Sequence, residues 1–461
     1  MAGRLDRTYT DLAPEEINRT LWHLSYPSLL AQAVHNGFTV FEAGLVAHYG
    51  TAELAALSLG YPITMIITNL GFGLGIGANS LTARLVGQGR WEQARQAAFL
   101  ALTVAVTAGL LLAAVGYPVT WWILRWLRTP EETLRATMAY LAPYLVGAAV
   151  YFLQAVGTGL LQGMGRMAQS ARVVFATVAV NALLDPFLLY GVGFVPEMGL
   201  PGVSLGAVIA RGASAALAYG CYLRASGLWP LSFGTGPGWT LAKDILWVAV
   251  PSALARSAQP LCMLFLNGLL LSLGAAAVAA RGVGARIEML AYLPALAFAP
   301  TVLALTGQNW GAGNAFMARQ VPRYAARLIG AVMALIGLFV LVAPGAVWDP
   351  VAPDVALRGP GYSYMRIMGA SYFLVGLDMI YSAALQGLGL GYPPMVITLV
   401  RVWGISLPVS YLLVRCFGMG PEGVWLSLAL GNLWAGVAAP VWFWHAVSAR
   451  RRAAAPVRRT R

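Results

Sequence analysis

Apolar segments of about twenty residues follow one another along almost the whole chain, separated by short polar stretches. This is the length that a helix needs to cross the hydrocarbon core of a bilayer. The segments are long Leu/Ala/Val/Gly runs without two-residue alternation, which predicts helices rather than barrel strands. We predict twelve spans, at residues 21–46, 51–78, 97–120, 136–158, 171–192, 202–222, 245–271, 275–304, 328–346, 363–384, 394–414 and 423–447.

The composition supports an all-α integral membrane protein. Hydrophobic residues make up 59% of the 461 residues and charged residues only 10%, too few to cover a soluble protein of this length. The 52 glycines and 26 prolines are typical of membrane helices, where small residues permit close packing.

The net charge of +13 could indicate nucleic-acid binding, but its distribution favours a membrane orientation. With both termini in the cytoplasm, the inner loops and tails contain 19 of the 30 Lys and Arg residues and the outer loops only five. This is the bias of the positive-inside rule. We therefore expect a multi-pass protein of the inner (plasma) membrane, with cytoplasmic termini, lipid as its surroundings and no nucleic-acid partner.

The two halves of the chain resemble each other at an offset near 222 residues. Pro27 matches Pro251, and Leu161-Gln162-Gly163 matches Leu385-Gln386-Gly387, each pair separated by 224 positions. Six spans per half give both halves the same orientation, as in several transporters. The predicted parts are a cytoplasmic N-terminal segment (1–20), an N lobe (21–223), a cytoplasmic linker (224–244), a C lobe (245–447) and a basic tail (448–461).

A carboxylate and an amide lie inside the fifth predicted span. A charge at that depth costs about 2.5–3.5 kcal/mol or more, so it rarely lacks a function. Asn181 and Asp185 are four residues apart and project from one helix face, and Pro186 leaves a carbonyl one turn earlier without its usual partner. Glu42 is the acid of the first span. If it meets Asp185, a shared proton or sodium ion would relieve their repulsion, so Glu42, Asn181 and Asp185 form the predicted ion-coupling site.

Two further acids lie within spans of the C-terminal half. Glu288 follows Arg286 by two residues and shares its span with Arg281, which indicates a charge-compensated structural cluster. Asp378 could bind a cationic substrate, transfer protons or pair with Arg256, and the sequence leaves these alternatives open.

The remaining intramembrane arginines are Arg211, Arg366 and Arg401. They are expected near span ends, with their guanidinium groups reaching the membrane interface. Aromatic and amide side chains could line a cavity that attracts organic cations. The candidate cavity residues are Tyr140, Tyr151, Gln154, Gln259, Asp378 and Tyr381.

The sequence contains no enzyme motif. The alternating glycines from Gly71 to Gly77 follow no strand, so they indicate helix packing rather than a nucleotide loop, and there is no Gly-Lys-Ser/Thr motif for ATP. The four histidines lack metal-ligand spacing. We expect neither catalysis nor a cofactor or metal.

Several segments resemble the multidrug and toxic compound extrusion (MATE) family over roughly residues 15–447. The most specific are Gly284-Ala-Arg286-Ile-Glu288 and the segment from Thr306 to Asn314, which resemble the prokaryotic branch named for DNA-damage-inducible protein F. The resemblance implies a monomeric, V-shaped bundle of twelve transmembrane helices in two pseudo-symmetric six-helix lobes. It also implies export of small amphipathic, often cationic, compounds in exchange for protons or sodium ions.

The resemblance further assigns the N-lobe ion site to Glu42, Asn181 and Asp185. The family usually has Asp where this chain has Glu42, and a hydroxyl side chain where it has Ala207, with Ser204 nearby. In another branch an acid stands at the place of Gln259. The extra length of Glu42 favours protons over sodium.

Two other functions are carried as alternatives. One is a flippase for a lipid-linked oligosaccharide or another polyprenyl-linked precursor, for which Arg256, Arg281 and Arg286 could hold a pyrophosphate. The other is a non-transporting membrane scaffold or receptor, against which the intramembrane acids argue.

Overall fold

A computed structural model of the chain describes residues 9, 14–49, 51–126, 128–191, 196–226 and 238–454, and these contain helices and no strand. The helices of the N-terminal half are α1 (Ile17–Tyr49), α2 (Thr51–Gly87), α3 (Trp91–Trp126), α4 (Glu131–Val146), α5 (Ala148–Gly163), α6 (Met167–Tyr190) and α7 (Leu200–Ser226). Those of the C-terminal half are α8 (Gly238–Leu271), α9 (Ala275–Ala291), α10 (Leu293–Gly311), α11 (Ala315–Val342), α12 (Pro344–Trp348), α13 (Val355–Gly387), α14 (Tyr392–Leu399), α15 (Leu407–Tyr411) and α16 (Pro421–Ala454).

The bundle agrees with twelve membrane-crossing segments. Within the described ranges, nine helical segments are individually long and apolar enough to cross a bilayer, and two bent helix pairs raise the number to eleven. Helix α1 supplies the twelfth. Its 33 residues are long enough, but His35, Asn36 and Glu42 make it less apolar than the others.

Several helices extend beyond their predicted spans. Helix α11 begins at Ala315 rather than near residue 328, because the side chain of Asn314 accepts a hydrogen bond of 3.1 Å from the Met317 amide and caps the helix. Helices α7 and α8 also continue into the predicted linker, so Arg224 and Asp244 are helical. Hydropathy alone misses these polar helical turns.

Two crossing segments are bent. Helices α4 and α5 meet at 47° around Gly147, where a Cβ atom would lie only 2.6 Å from the side chain of Val208. Helices α9 and α10 meet at 48° at Tyr292, just before Pro294, which cannot donate a backbone hydrogen bond. The bends thus follow from a glycine contact and a proline.

The alternating glycines of α2 serve two neighbours. Added Cβ atoms at Gly73 and Gly77 would lie 2.6 Å from atoms of α8, in the C-terminal half. At Gly71 and Gly75 they would lie 3.1 Å and 2.6 Å from atoms of α5. Residues four apart share a helix face, so one face of α2 packs within its own half and the other joins the two halves.

The two halves meet at the end of the bundle where α2, α5, α10 and α13 finish. We call this end the basic end, because most of the arginines outside the spans lie there. A Cβ atom at Gly87 would lie 2.0 Å from the carbonyl oxygen of Gln308. The side-chain amide of Gln308 donates a 2.9 Å hydrogen bond to the Gly163 carbonyl, and the Ser80 hydroxyl donates to the Gln386 carbonyl. These contacts seal the basic end with backbone groups.

The segment Tyr392–Cys416 departs from regular α-helix. Two π-helical stretches, Val400–Ser406 and Leu412–Cys416, flank the short helix α15. The Ser406 hydroxyl donates a 2.9 Å hydrogen bond to the Arg401 carbonyl five residues earlier. Such wide turns often occur at functional sites, and this one carries Arg401.

Candidate functional site

Asn181 and Asp185 form a buried polar pair inside the N-terminal half. Their side chains are 4% and 0% exposed, and the Asn181 amide donates a 3.2 Å hydrogen bond to Asp185 Oδ2. Asp185 Oδ1 and Asn181 Oδ1 have no hydrogen-bond partner among the described residues. Buried polar atoms usually have a partner, so these two oxygen atoms are suited to a proton or a small cation.

The space for the Asp185 carboxylate comes from a glycine of α7. A Cβ atom at Gly206 would lie 2.8 Å from Asp185 Oδ1. The same helix provides no hydroxyl at Ala207, and the Ser204 hydroxyl donates to the Pro201 carbonyl at 2.9 Å rather than to Asp185. Ser204 therefore does not take the place that the family resemblance suggested for a hydroxyl.

Glu42 lies on α1 with a half-buried side chain. It is close enough to Asp185 to influence it electrostatically, although no hydrogen bond joins the two carboxylates in the part of the chain described here. The structure therefore brings the three predicted coupling residues into one region of the N lobe. Their role in coupling stays a prediction.

Arg211 lies inside the N lobe, and its expected position at the membrane interface was wrong. Its guanidinium carbon lies 4.1 Å from the centre of the Tyr151 ring, and one nitrogen donates a 3.3 Å hydrogen bond to the Ala207 carbonyl. Arg211 is also within electrostatic range of both Glu42 and Asp185. The site thus contains two acids and one fixed positive charge.

Three N-lobe tyrosines form a stack with little exposed surface. The ring of Tyr144, absent from the predicted set, lies 5.3 Å from that of Tyr140 and 5.5 Å from that of Tyr151. All three are less than 9% exposed. Gln154 is half-buried on α5, three residues after Tyr151. The stack buries the rings of Tyr140 and Tyr151, with Arg211 over the Tyr151 ring, and their place in a substrate cavity stays a prediction.

A cavity of about 350 Å³ lies in the C-terminal half, between α8, α9, α13 and the π-helical stretch at Arg401. Gln259 and Asp378 both line it, as predicted. Asp378 pairs with Arg401 at 3.4 Å and accepts a 2.9 Å hydrogen bond from Ser382. Arg401 also donates to Gln259 at 3.2 Å. The counter-ion of Asp378 is therefore Arg401 and not Arg256. Arg401 itself lies at the cavity, so its expected position at the membrane interface was wrong.

Of the predicted structural cluster, Arg281 and Glu288 lie within electrostatic range of each other, whereas Arg286 stands apart. Arg281 and Glu288, seven residues apart, share the cavity face of α9, whereas Arg286 is exposed on another face. Among the described ion pairs, none joins Arg281 to Glu288 within 4.0 Å. Arg286 and Glu288 are two residues apart in sequence, but the helix places them on different faces.

Tyr381 was also predicted to line the cavity, and this is wrong. Asp378 and Ser382, four residues apart on α13, face the cavity. Tyr381 points to another side of that helix, where its ring lies 5.5 Å from that of Phe443 and is 7% exposed. It is a core residue that joins α13 to α16.

The two arginines whose interior positions were not predicted, Arg211 and Arg401, have a sequence signal in common. Arg211 and Arg401 both lie near the middle of their predicted spans, 202–222 and 394–414, too deep for their guanidinium groups to reach the interface readily. Arg366, close to the start of its span, is exposed as expected.

Comparisons with known proteins agree with this fold. The MatE family model matches residues 27–187 and 251–412, one match in each half. A probable multidrug resistance protein NorM of Thermotoga maritima is 24% identical over 420 residues, 90% of this chain and 89% of that protein. An FAD transporter of Shewanella oneidensis is 26% identical over 425 residues, 92% and 93% of the two chains.

A solved structure shows the same architecture. It is the outward-facing conformation of a multidrug resistance MATE family transporter of the MOP superfamily, 24% identical, with a TM-score of 0.87 over 95% of this chain and 97% of that one.

Proposed function

This chain belongs to the MatE family of multidrug efflux transporters, and from that premise we propose that it is an antiporter that exports amphipathic organic compounds in exchange for protons. The observation that carries the proposal is the buried Asn181–Asp185 pair, whose two unpartnered oxygen atoms lie within electrostatic range of Glu42 and Arg211. Family membership also means that the protein is a membrane transporter and not an enzyme.

Protons suit this site better than sodium ions. A sodium ion needs several oxygen ligands, and the described pair offers two that are unpartnered. A proton needs only one oxygen atom. Either monovalent cation would bring the combined charge of Glu42, Asp185 and Arg211 from −1 to zero, so the number of available ligands decides in favour of the proton.

The closed basic end supports alternating access. The positive-inside rule places that end in the cytoplasm, so the described conformation would be closed to the cytoplasm and would receive substrate and protons from the other side. Protonation in the N lobe would change how α1, α6 and α7 pack. A ligand shifts a conformational equilibrium only by binding the two states with different affinity, and the acid site provides that difference.

The decisive experiment uses proteoliposomes with a pH gradient or a sodium gradient imposed separately. Ethidium and riboflavin 5′-phosphate serve as a cationic and an anionic fluorescent probe. We expect flux driven by the pH gradient alone, lost in Asp185→Asn and in Glu42→Gln. Asp244→Asn, an exposed acid on α8, is the matched control and should transport normally. Full exchange by folded Asp185→Asn would refute the coupling site.

A second function is favoured by one observation. The guanidinium groups of Arg256 and Arg281 line the C-lobe cavity, as a flippase for a pyrophosphate-linked lipid would require. One relative is named an FAD transporter, and FAD also contains a pyrophosphate. Saturable binding of a polyprenyl-pyrophosphate sugar, unaffected by ethidium, would decide for this function.

A further inference from the structure

The C-lobe cavity has an excess of positive charge. Its charged lining residues are Arg256, Arg281, Arg401, Glu288 and Asp378, three guanidinium groups against two carboxylates. These residues come from four helical segments that are distant in sequence. The fold therefore collects positive charge at one place within the membrane, where charge is costly and is seldom retained without a partner.

The two acids do not neutralise all three arginines. Arg401 is held by Asp378 and by Gln259. Arg281 lies within electrostatic range of Glu288 but forms no ion pair with it. It contacts the Met263 sulfur, and its Nε is buried without a hydrogen-bond partner among the described residues.

Arg256 forms no ion pair with a described carboxylate. Its guanidinium carbon lies 5.3 Å from the ring centre of Phe72, on α2 of the N lobe. The cation–π contact uses the face of the guanidinium, and among the described residues no side-chain hydrogen bond uses its donor edge. Arg256 and Arg281 are therefore the groups with unused capacity to bind an anion.

Guanidinium groups bind carboxylates and phosphates through paired, charge-assisted hydrogen bonds. The same cavity has apolar and aromatic walls, among them Met263, Tyr292 and Met368. An organic cation would be repelled by Arg256 and Arg281, Asp378 is already paired with Arg401, and Glu288 alone cannot offset both free arginines. We infer that the C-lobe cavity recognises an amphipathic organic anion through its carboxylate or phosphate, with Arg256 and Arg281 as the binding groups. This deepens the proposed exporter function and names its substrate class.

A matched pair of probes isolates the contribution of the anionic group. Riboflavin and riboflavin 5′-phosphate share one ring system and differ by the phosphate. Binding of each to purified protein in neutral detergent, without any ion gradient, is followed by flavin fluorescence. We expect the phosphate ester to bind at least about tenfold more tightly, equivalent to ~1.4 kcal/mol.

The variants test which arginines are responsible. Arg256→Gln and Arg281→Gln should each lose most of the preference for the phosphate while binding riboflavin as before. Arg256→Lys keeps the positive charge and should retain part of the preference for the phosphate. Arg286→Gln removes an exposed arginine from the same helix as Arg281 and should behave like the wild type. Unchanged riboflavin binding shows that a variant is folded.

Two results would overturn the inference: equal affinity for both flavins in the wild type, or a preference that survives in both glutamine variants. Displacement of the flavin phosphate by phosphatidylglycerol but not by phosphatidylcholine supports the anion site and assigns it to a lipid phosphate. Because no gradient is present, the result is independent of coupling. If the wild type recognises the phosphate while Asp185→Asn still exchanges fully, the N-lobe proton site is refuted and the C-lobe anion site stands.

Discussion

The closure of the basic end depends on a glycine that touches the opposite half. In Gly87→Ala the new methyl group would lie 2.0 Å from the Gln308 carbonyl oxygen, whereas a carbon–oxygen contact needs roughly 3.3 Å. The obstacle is backbone, so α2 and α10 must separate locally by about 1.3 Å. Overpacking of this kind costs about 1–3 kcal/mol, which would shift the equilibrium about 5- to 150-fold towards the state open at the basic end.

Pulsed electron paramagnetic resonance measures this shift directly. Spin labels at Ala168→Cys and Phe316→Cys, both exposed near the basic end in opposite halves, should give a longer mean distance in Gly87→Ala. Gly220→Ala is the control, since a Cβ atom there meets nothing within 4 Å. Gly311→Ala, whose Cβ atom would lie 2.2 Å from the Arg84 carbonyl, should reproduce the effect. An unchanged distance in folded Gly87→Ala and Gly311→Ala would refute the proposed closure.

Three further substitutions test the site and the core separately. Gly206→Ala should impair proton-driven exchange without removing any acid, because its methyl group would lie 2.8 Å from Asp185 Oδ1; normal transport rates would contradict the described carboxylate position. Tyr381→Ala should lower stability by about 3–5 kcal/mol by opening a cavity beside Phe443, while the ratio of flavin affinities in the folded fraction stays unchanged. Asn314→Ala should cost about 0.5–2 kcal/mol through the lost cap of α11, and an unaltered thermal midpoint would show that another group caps the helix.

Hydropathy and the internal repeat predict most of the architecture, because span length and repeat spacing are properties of the sequence itself. They identify Asp185 and Glu42 because an acid in an apolar segment is conspicuous. They fail for Arg211 and Arg401, whose long side chains permit either an interfacial or an interior position. They also fail for Tyr381, since the face of a largely apolar helix that meets the cavity is decided by the helices packed against it.

A comparison of Asp378 with Asp185 explains why the two halves need not both couple to ions. Asp378 is an acid inside the C lobe as Asp185 is inside the N lobe, but Arg401 lies 3.4 Å from Asp378 and forms an ion pair with it. A carboxylate held by a fixed guanidinium has little need of a proton, whereas Asp185 has an unpartnered oxygen atom.

We therefore expect Asp378→Asn to retain proton-driven exchange in proteoliposomes. Its loss of negative charge should free Arg401 and tighten the binding of riboflavin 5′-phosphate relative to riboflavin. A decisive test is to measure both quantities on the same preparation. If Asp378→Asn binds both flavins yet no longer exchanges them for protons, the coupling acid lies in the C lobe, and the asymmetry inferred from the Asp378–Arg401 pair is wrong.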